Sequence, residues 1–389
     1  MAVFVAESLI VSLRACLARP AIARSPFQRV AAAVIVALAM FATAPDARAD
    51  AAVIRKYELQ KQGSGYRLVA TTAPRPKAKA DEVLVRVRAV SLNRRDIMVL
   101  NGTYGAGDVS GRIPLSDGAG EVIAVGERVT RFKPGDRVAG TFFTRWIEGK
   151  ATPDALSSAR GGDVDGMLAE AIVAHEASLV HIPEHLSFEE AATLPCAGLT
   201  AWNALFTRGK LQPGDFVLLE GTGGVSMFGL QFAVAADARA IITSSSDSKL
   251  TRARALGAHG AINYVSNPDW HLEVRELTGG TGVDHVLEVG GRDTLPKALA
   301  SLAIGGHVAL IGGLSGFDAQ VPVGALMGRT AAVSGIYVGS RADFEAMNAF
   351  IAEHKLRPVI DRTFAFEDAA AAYEYMDSGS HFGKVVITL

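Results

Sequence analysis

The chain has 389 residues, of which 49% are hydrophobic and 20% are charged. This length fits two domains of ordinary size, and the composition excludes a disordered chain. The 39 basic and 40 acidic residues give a formal net charge of −1, so charge offers no reason to expect nucleic-acid binding. The 2 cysteines cannot form a disulfide scaffold or a four-cysteine zinc lobe.

The first 49 residues have the pattern of a secretory signal. Arginines outnumber acidic residues there, an uncharged apolar stretch covers 30–42, and small residues flank the arginine at 47–49. The apolar stretch is shorter than the roughly 20 residues that a membrane span needs, so we expect no stable membrane span. A start codon assigned too early would leave the same pattern, so the location stays open between export to the periplasm and the cytoplasm. Both interpretations leave 1–49 outside the fold.

The region 51–182 predicts a β-rich, barrel-like domain. The segment 83–90 ends in alternating apolar and basic residues, as a half-buried strand does. The segment 133–136 places Pro and Gly at the centre of a tight turn. A polar, glycine-rich loop is expected around 150–166.

After Pro183 the pattern changes to strands that alternate with helices. Ser187 and Glu190 have the spacing of a capping box, which predicts a helix start. The alternation predicts a parallel sheet with helices on both faces. Strands are expected at 216–220, 239–243, 284–289 and 307–311, helices at 227–236 and 248–257, and then a helix near 342–353 and a final strand at 384–389.

A glycine-rich segment at 221–226 lies between a predicted strand and a predicted helix. Residues without side chains let backbone N–H groups approach a pyrophosphate, and the helix N-terminus adds partial positive charge. A glycine motif in this position is far more specific than the motif alone. We therefore predict that Gly221, Gly223, Gly224 and Val225 bind a dinucleotide.

The residues that select NAD or NADP lie about 20 residues after the glycine motif. In NAD-binding proteins an acid at the end of the second strand binds the ribose hydroxyls there. Here the chain has Ser244 and Ser245, with Asp247 displaced and Lys249 just after. Hydroxyl groups and a cation suit a 2′-phosphate, whereas a carboxylate would repel it. These residues predict NADP(H), with Lys249 as an ordinary solvated helix residue as the alternative.

Five segments, 91–96, 118–122, 132–138, 189–195 and 383–386, follow one another along the chain together with the glycine motif. On these segments the region 53–389 resembles the medium-chain dehydrogenase/reductase superfamily, and within it the zinc-independent quinone oxidoreductase and alcohol dehydrogenase-like branch. The resemblance implies an α/β protein with a GroES-like β-barrel catalytic domain (51–182), a Rossmann domain with a doubly wound parallel sheet that binds NADP (183–335), and a C-terminal return to the catalytic domain (336–389). It also implies a homodimer.

The resemblance implies further cofactor contacts. Lys249 and Tyr264 fall where NADPH-binding members place a cation for the 2′-phosphate and a tyrosine on the adenine side. Thr200 lies at the family position beside the nicotinamide. The segments that line the nicotinamide in the family correspond to Val289, Ile311, Gly312, Val338 and Gly339.

Zinc-dependent members hold the catalytic metal with Cys, His and Cys, and this chain departs from that set. The matching positions are Asn93, Ser116 and Cys196, so one potential ligand of three is present, and Asp117 beside Ser116 does not restore the set. Zinc needs three or four nitrogen, sulfur or carboxylate ligands. We therefore expect no metal.

Without zinc, the substrate itself must spread the negative charge that develops as hydride arrives. A quinone or an α,β-unsaturated carbonyl does so with modest hydrogen-bond donation, whereas an alcohol would lose its proton without a zinc-lowered pKa. We therefore predict NADPH-dependent reduction of such a substrate, with Asn93 and Tyr104 as candidate donors and Thr200 orienting the ring. Asp96 is expected to hold a loop in which Arg94 and Arg95 are solvated or contact the substrate.

Two alternatives remain open from the sequence. One is a zinc-free NADP-dependent alcohol or aldehyde oxidoreductase on the same scaffold. The other is a dinucleotide-binding protein with little turnover, which the apparent lack of a strong acid or base at the expected site favours.

Overall fold

Two large β-sheets organise the chain in a computed structural model that describes residues 52–105, 107–321 and 323–389. One sheet has seven strands and the other has six, and β1 and β2 form a separate two-stranded sheet within this part of the chain. The predicted leader, 1–49, lies outside the described residues. Among the described helices, none has the length and apolar character needed to cross a membrane.

The seven-stranded sheet is built mainly from the N-terminal region. Its strand order is β14-β15-β3-β4-β5-β7, and β6 pairs with β3. The pairs are antiparallel except for β14 with β15. Its strands are β3 (Glu82–Leu92), β4 (Asp117–Val125), β5 (Arg137–Gly140), β6 (Ala171–His175), β7 (Leu179–His181), β14 (Ile360–Ala365) and β15 (Lys384–Thr388). The separate two-stranded sheet consists of β1 (Val53–Gln62) and β2 (Gly65–Pro74).

The six-stranded sheet is entirely parallel and has the order β10-β9-β8-β11-β12-β13. Numbered within the sheet, this order is 3-2-1-4-5-6, the doubly wound arrangement in which ligands bind where the order reverses. Here that reversal lies between β8 and β11. The strands are β8 (Phe216–Leu219), β9 (Arg239–Ser244), β10 (Gly260–Asn263), β11 (Val283–Glu288), β12 (Leu302–Leu310) and β13 (Ala332–Gly335).

Helices cover both sheets and connect their strands. The longest run of helical turns, 194–208, contains π-helical turns on both sides of α4. The helices are α1 (Arg94–Leu100), α2 (Pro153–Leu156), α3 (Phe188–Ala191), α4 (Leu199–Trp202), α5 (Gly224–Ala235), α6 (Asp247–Ala255), α7 (Trp270–Leu277), α8 (Leu295–Ser301), α9 (Val323–Arg329), α10 (Arg341–His354) and α11 (Ala369–Asp377).

The expected α/β fold with a doubly wound parallel sheet is confirmed. The hydrophobic run at 216–219 is buried on both sides, as the central strand of a parallel sheet should be. The helix predicted at 227–236 begins earlier, at Gly224, because the glycine segment itself forms the first helical turn. Sequence periodicity misses that turn because glycines carry no hydrophobic signal.

The segment after β3 differs from expectation, because it is the helix α1 and not a solvated loop. Asp96 accepts a hydrogen bond from the backbone N–H of Asn93 (2.8 Å), which closes the N-terminus of this helix. Arg95 is buried, whereas Arg94 forms an exposed ion pair with Asp377 (2.7 Å). The burial of Arg95 is compensated by a hydrogen bond to the carbonyl of Arg160 (2.8 Å) and by two aromatic rings described below.

Candidate functional site

The glycine segment leaves open space at the head of α5. Gly221 has φ +72°, and a Cβ added to Gly221 or Gly223 would meet no atom within 4 Å. Gly223 caps the helix without a side chain, so the free N–H groups of the first turn face a site that no side chain of the cap occupies. These features fit a pyrophosphate group. Gly224 has another role, because a Cβ there would lie 2.7 Å from Cδ of Lys384.

The residues predicted to select NADP lie at the ends of β9 and β10. Ser244 is buried, Ser245 is exposed, and the backbone N–H of Tyr264 donates to the carbonyl of Ser244 (3.1 Å). The Lys249 ammonium donates to the carbonyl of Gly379 (2.9 Å). Burial lowers the pKa of Lys249, and the nearby Asp361 opposes this shift.

Asp247 is the acid nearest to the position that would select NAD. It is the first residue of α6, and its Oδ1 accepts a hydrogen bond from the side chain of Asn263 (2.8 Å). The carboxylate is therefore held by β10. Ser246, one residue earlier, caps the same helix.

The ends of β11 and β12 bring together three residues predicted to line the nicotinamide. The backbone N–H groups of Ile311 and Gly312 both donate to the carbonyl of Glu288 (2.8 and 3.2 Å). A Cβ at Gly312 would lie 2.7 Å from the carbonyl oxygen of Val289. Only glycine therefore fits here.

The other predicted nicotinamide-side residues meet at α4. Thr200 is buried on this helix, and the Asn203 amide donates to the carbonyl of Val338 (2.6 Å). Val338 has φ +55°, an uncommon backbone conformation for a β-branched residue. A Cβ at Gly339 would lie 3.0 Å from the Leu199 side chain.

A buried lysine lies directly beside the glycine turn. The Lys384 ammonium donates to the carbonyl of Leu92 and to Oδ1 of Asn93, both at 2.6 Å. Burial lowers the pKa of Lys384, and the charge of Asp117 opposes this shift. The side chain is 3% exposed, so its charge is compensated inside the protein.

Asp117 is the main counter-charge of Lys384 and is fully buried. Its two oxygens accept hydrogen bonds from the Ser116 hydroxyl (2.6 Å) and the Cys196 backbone N–H (3.1 Å). Burial raises the pKa of Asp117, and the Lys384 charge lowers it. Burial also raises the pKa of the Cys196 thiol, and Asp117 adds to that shift. The thiol is therefore a neutral group at physiological pH.

Buried acids and a base lie together beside the glycine turn. Lys384, Asp117 and Asp96 form a buried charged cluster, and burial raises the pKa of Asp96 to about 6 while the Arg95 charge opposes the shift. Neighbouring pairs in the sheet bring the cluster together, since Asp117 pairs with Ser91 and Val385 pairs with Leu92.

The three positions that match zinc ligands do not fit a zinc ion. The Asn93 oxygen accepts from an ammonium, the Ser116 hydroxyl donates to Asp117, and only Cys196 is a usual zinc ligand. In the part of the chain that the structure describes, no three His, Cys, Asp or Glu side chains are grouped so as to hold a metal ion. The ammonium of Lys384 supplies positive charge next to these positions.

Two tyrosine hydroxyls meet beside this cluster. Tyr104 and Tyr337 are joined by a hydrogen bond of 2.9 Å. The Arg95 guanidinium lies 4.9 Å from the ring centre of Tyr104 and 4.8 Å from that of Phe142. Burial raises the pKa of Tyr104, and the Arg95 charge opposes the shift. Tyr104 is thus a protonated hydrogen-bond donor throughout the neutral pH range.

Tyr337 is a site residue that the sequence did not single out. It is 42% exposed, and its ring packs edge-on against Phe143 at 4.9 Å. It directly precedes Val338, which was predicted to line the nicotinamide, but the Tyr337 side chain itself was not predicted. A hydroxyl-bearing residue one position from a predicted nicotinamide contact was the available signal.

Comparisons with known proteins agree with this architecture. The family described as "Alcohol dehydrogenase GroES-like domain" matches residues 79–184, and the family described as "Zinc-binding dehydrogenase" matches 224–353. A zinc-type alcohol dehydrogenase-like protein of Schizosaccharomyces pombe is 44% identical over 320 residues, covering 80% of this chain and 92% of the relative. A quinone oxidoreductase of Pseudomonas aeruginosa is 32% identical over 332 residues, covering 83% and 94%.

Solved structures are similar as well. One from Sinorhizobium meliloti 1021, named as an alcohol dehydrogenase, has a TM-score of 0.83 at 41% identity and covers 87% of this chain and 99% of its own. An NAD-dependent alcohol dehydrogenase has a TM-score of 0.79 at 33% identity, with 86% and 99% covered.

The fold and the glycine-turn site thus define an NAD(P)-dependent oxidoreductase with a GroES-like domain and a Rossmann-type domain. The chain belongs to the medium-chain dehydrogenase/reductase superfamily. The expected superfamily is confirmed, and so is the expectation of an enzyme, which removes the dinucleotide-binding protein with little turnover from the alternatives.

Proposed function

We propose that this enzyme uses NADPH to reduce a quinone or an α,β-unsaturated carbonyl without zinc. The observation that carries the proposal is the Lys384 ammonium, which is hydrogen-bonded to Asn93 at the first of the three positions matching zinc ligands. Because these positions offer one usual zinc ligand, the substrate must stabilise its own developing charge, and a conjugated carbonyl does so. The relative named quinone oxidoreductase supports this choice.

The nicotinamide, when bound, supplies the hydride. Tyr104, supported by Tyr337, donates a hydrogen bond to the substrate oxygen. The Asn93 side-chain oxygen accepts a hydrogen bond from the Lys384 ammonium. This contact holds a positive charge next to the site where substrate and nicotinamide react. Thr200 orients the ring from α4. Val289, Ile311, Gly312, Val338 and Gly339 line the nicotinamide.

The substrate class is tested by following NADPH absorbance with a panel of quinones, enones, aldehydes and alcohols, together with metal analysis of the purified protein. Quinone or enone turnover by a zinc-free preparation supports the proposal. Turnover confined to aldehydes and alcohols, again without zinc, would instead support the alternative of a zinc-free alcohol or aldehyde oxidoreductase. One tightly bound zinc per chain would contradict both.

The preference for NADPH over NADH rests on Ser244, Ser245, Lys249 and Tyr264. The Lys249 ammonium already donates to a neutral carbonyl, and a 2′-phosphate is a stronger, charged acceptor for it. The acid that would compete with such a phosphate, Asp247, is held by Asn263.

We expect Lys249→Ala to raise the Kd for NADPH about tenfold, since a charge-assisted hydrogen bond contributes about 1.5–3 kcal/mol. The Kd for NADH should not change, because NADH lacks the 2′-phosphate. Fluorescence titration with both cofactors measures this. Lys133→Ala, which removes an equally charged but distant side chain that is 81% exposed, is the matched control. Equal loss for both cofactors would contradict the assignment.

We also propose a homodimer that pairs the β13 edges of two copies. In the described sheet β13 has a strand on one side, β12, and exposed apolar side chains flank it, including Val323, Met327 and Val333. An uncovered edge of this kind favours pairing with a second chain. Light scattering should give the mass of two chains, and Val333→Lys should give that of one.

A further inference from the structure

Two glutamates lie side by side where the strand order of the parallel sheet reverses. Glu288 is the last residue of β11, and Glu220 directly follows β8. Leu219 pairs in register with Leu287, so the next residues of the two strands, Glu220 and Glu288, are direct neighbours on one side of the sheet. They are 5% and 0% exposed.

One oxygen of each carboxyl is used to hold the loop that follows β11. Oε1 of Glu288 accepts from the backbone N–H groups of Gly290 and Gly291 (both 2.8 Å) and from the Thr294 hydroxyl (2.6 Å). Oε2 of Glu220 accepts from the backbone N–H groups of Val289 and Gly290 (3.2 and 3.3 Å). The two glutamates therefore fix the backbone of 289–291 together.

The second oxygen of each carboxyl is buried. If both groups are ionised, neither of these oxygens has a hydrogen-bond partner among the described residues. These atoms are Oε1 of Glu220 and Oε2 of Glu288. Two adjacent buried carboxylates would repel each other, and two orphaned oxygens would each cost free energy. A single proton between the two carboxyls removes both costs.

The hydrogen bonds indicate which glutamate carries the proton. Glu288 accepts three short hydrogen bonds, whereas the two hydrogen bonds to Glu220 are longer, so the Glu220 carboxyl is the less stabilised as a carboxylate. Burial, and then the charge of Glu288, raise the pKa of Glu220 well above its ordinary value. We therefore assign the proton to Glu220.

Among the described residues, no cationic side chain bonds to the carboxyl oxygens of Glu220 or Glu288. The elements packed against the pair contribute neutral groups, namely the Ser226 hydroxyl, which donates to the Glu220 carbonyl, and the N–H groups of Ile311 and Gly312. In the loop after Gly291, Arg292 pairs with Asp293 (3.2 Å) and with Asp318 (3.4 Å) at the surface. The charge of the pair is thus set by its own proton.

We propose that Glu220 and Glu288 share one proton and act as positioning residues, which hold the 289–291 backbone in the conformation that receives the nicotinamide end of the cofactor. When the proton is lost, the two carboxylates repel each other and no longer hold the 289–291 backbone in this conformation. The cofactor would therefore bind more weakly as pH rises. The link between this shared proton and cofactor binding rests on the proposed function, in which Val289 lines the nicotinamide. The shared proton itself does not.

Glu220→Gln tests the pair, because an amide of the same shape donates to Glu288 at every pH. We expect the Kd of the wild-type protein for NADPH to rise by up to about tenfold per pH unit above the pKa of the pair, and that of Glu220→Gln not to show this rise. The ratio of the two Kd values cancels the titration of the cofactor phosphate, whose own pKa is about 6. Fluorescence titration between pH 5 and 9 measures both.

Thermal unfolding without cofactor gives a second readout. A glutamate whose pKa is raised by folding stabilises the folded state below its ordinary pKa, and this stability is lost as pH rises through the raised value. The Tm of the wild type should therefore fall relative to that of Glu220→Gln as pH rises. Glu273→Gln is the matched control, since Glu273 is half-buried and its carboxylate accepts a hydrogen bond from the Asn267 amide (2.6 Å).

The outcomes separate this inference from the proposed function. If neither NADPH nor NADH binds, the proposed function fails, while the Tm difference still reports on the pair. If Tm and Kd of wild type and Glu220→Gln change in parallel with pH, the shared proton is disproved. Should Glu220→Gln not fold, Glu288→Gln offers the same test, because its amide retains an accepting oxygen and donates to Glu220.

Discussion

Replacing Lys384 with methionine is expected to lower the free energy of unfolding by about 3–5 kcal/mol, the usual effect of leaving a buried charge without its compensating charge. The substitution leaves Asp117 fully buried without its main counter-charge, and it leaves the Asn93 oxygen without its donor. Chemical denaturation at neutral pH measures the loss. Lys133→Met, at an exposed turn, should have an effect below 0.5 kcal/mol in magnitude, as is usual for such surface positions.

The double variant Lys384→Met/Asp117→Asn distinguishes a charge effect from lost packing. Removing both charges should recover a large part of the stability, because the remaining groups are neutral. A double variant as unstable as the sum of the two single variants would show that Lys384 and Asp117 do not act as a pair.

Tyr104→Phe is expected to reduce kcat about 100-fold with a conjugated carbonyl substrate, at an unchanged Kd for NADPH. Loss of one hydrogen-bond donor to a developing oxyanion typically costs a factor of 100 to 1,000. Because burial raises the pKa of Tyr104, the hydroxyl stays protonated across the neutral range, and its ionisation should not limit the rate there. Steady-state kinetics between pH 6 and 9 check both statements.

Tyr337→Phe provides the matched control for Tyr104. Its hydroxyl contacts that of Tyr104 (2.9 Å), so it supports the donor and does not replace it. We expect a smaller loss, of about tenfold or less, as fits one neutral hydrogen bond. Unaltered turnover in Tyr104→Phe would remove that residue from the chemistry, and a larger loss in Tyr337→Phe would make Tyr337 the donor.

Local features of this chain were predictable from its sequence. The strand before Gly221, the glycine turn and the helix after it are contiguous, and their order alone predicts the parallel sheet and a dinucleotide site. Family resemblance extended this prediction to the superfamily and the α/β fold, which are confirmed. The individual site residues remain predictions that the variants above test.

Features that depend on long-range pairing were missed. Asp117 and Lys384 are far apart in sequence and meet only because β4 and β15 both pair with β3. Glu220 and Glu288 meet because β8 and β11 are neighbours at the reversal of strand order. A single acidic or basic residue at the end of a strand is common in any sequence and does not indicate which residue it will contact. Its buried partner can therefore be identified only from the three-dimensional structure.

The pairing of β15 with β3 has a consequence for how the protein is made. Lys384 follows Leu92 by 292 positions, and the intervening chain includes the whole six-stranded sheet. At ordinary translation speeds of about 5–20 residues per second, β3 leaves the ribosome roughly 15 to 60 seconds before the strand that completes its sheet. The six-stranded parallel sheet can form during synthesis. The seven-stranded sheet, which contains β3, can be completed only when β15 has been made, and until then the Asp117 carboxylate lacks the positive charge of Lys384.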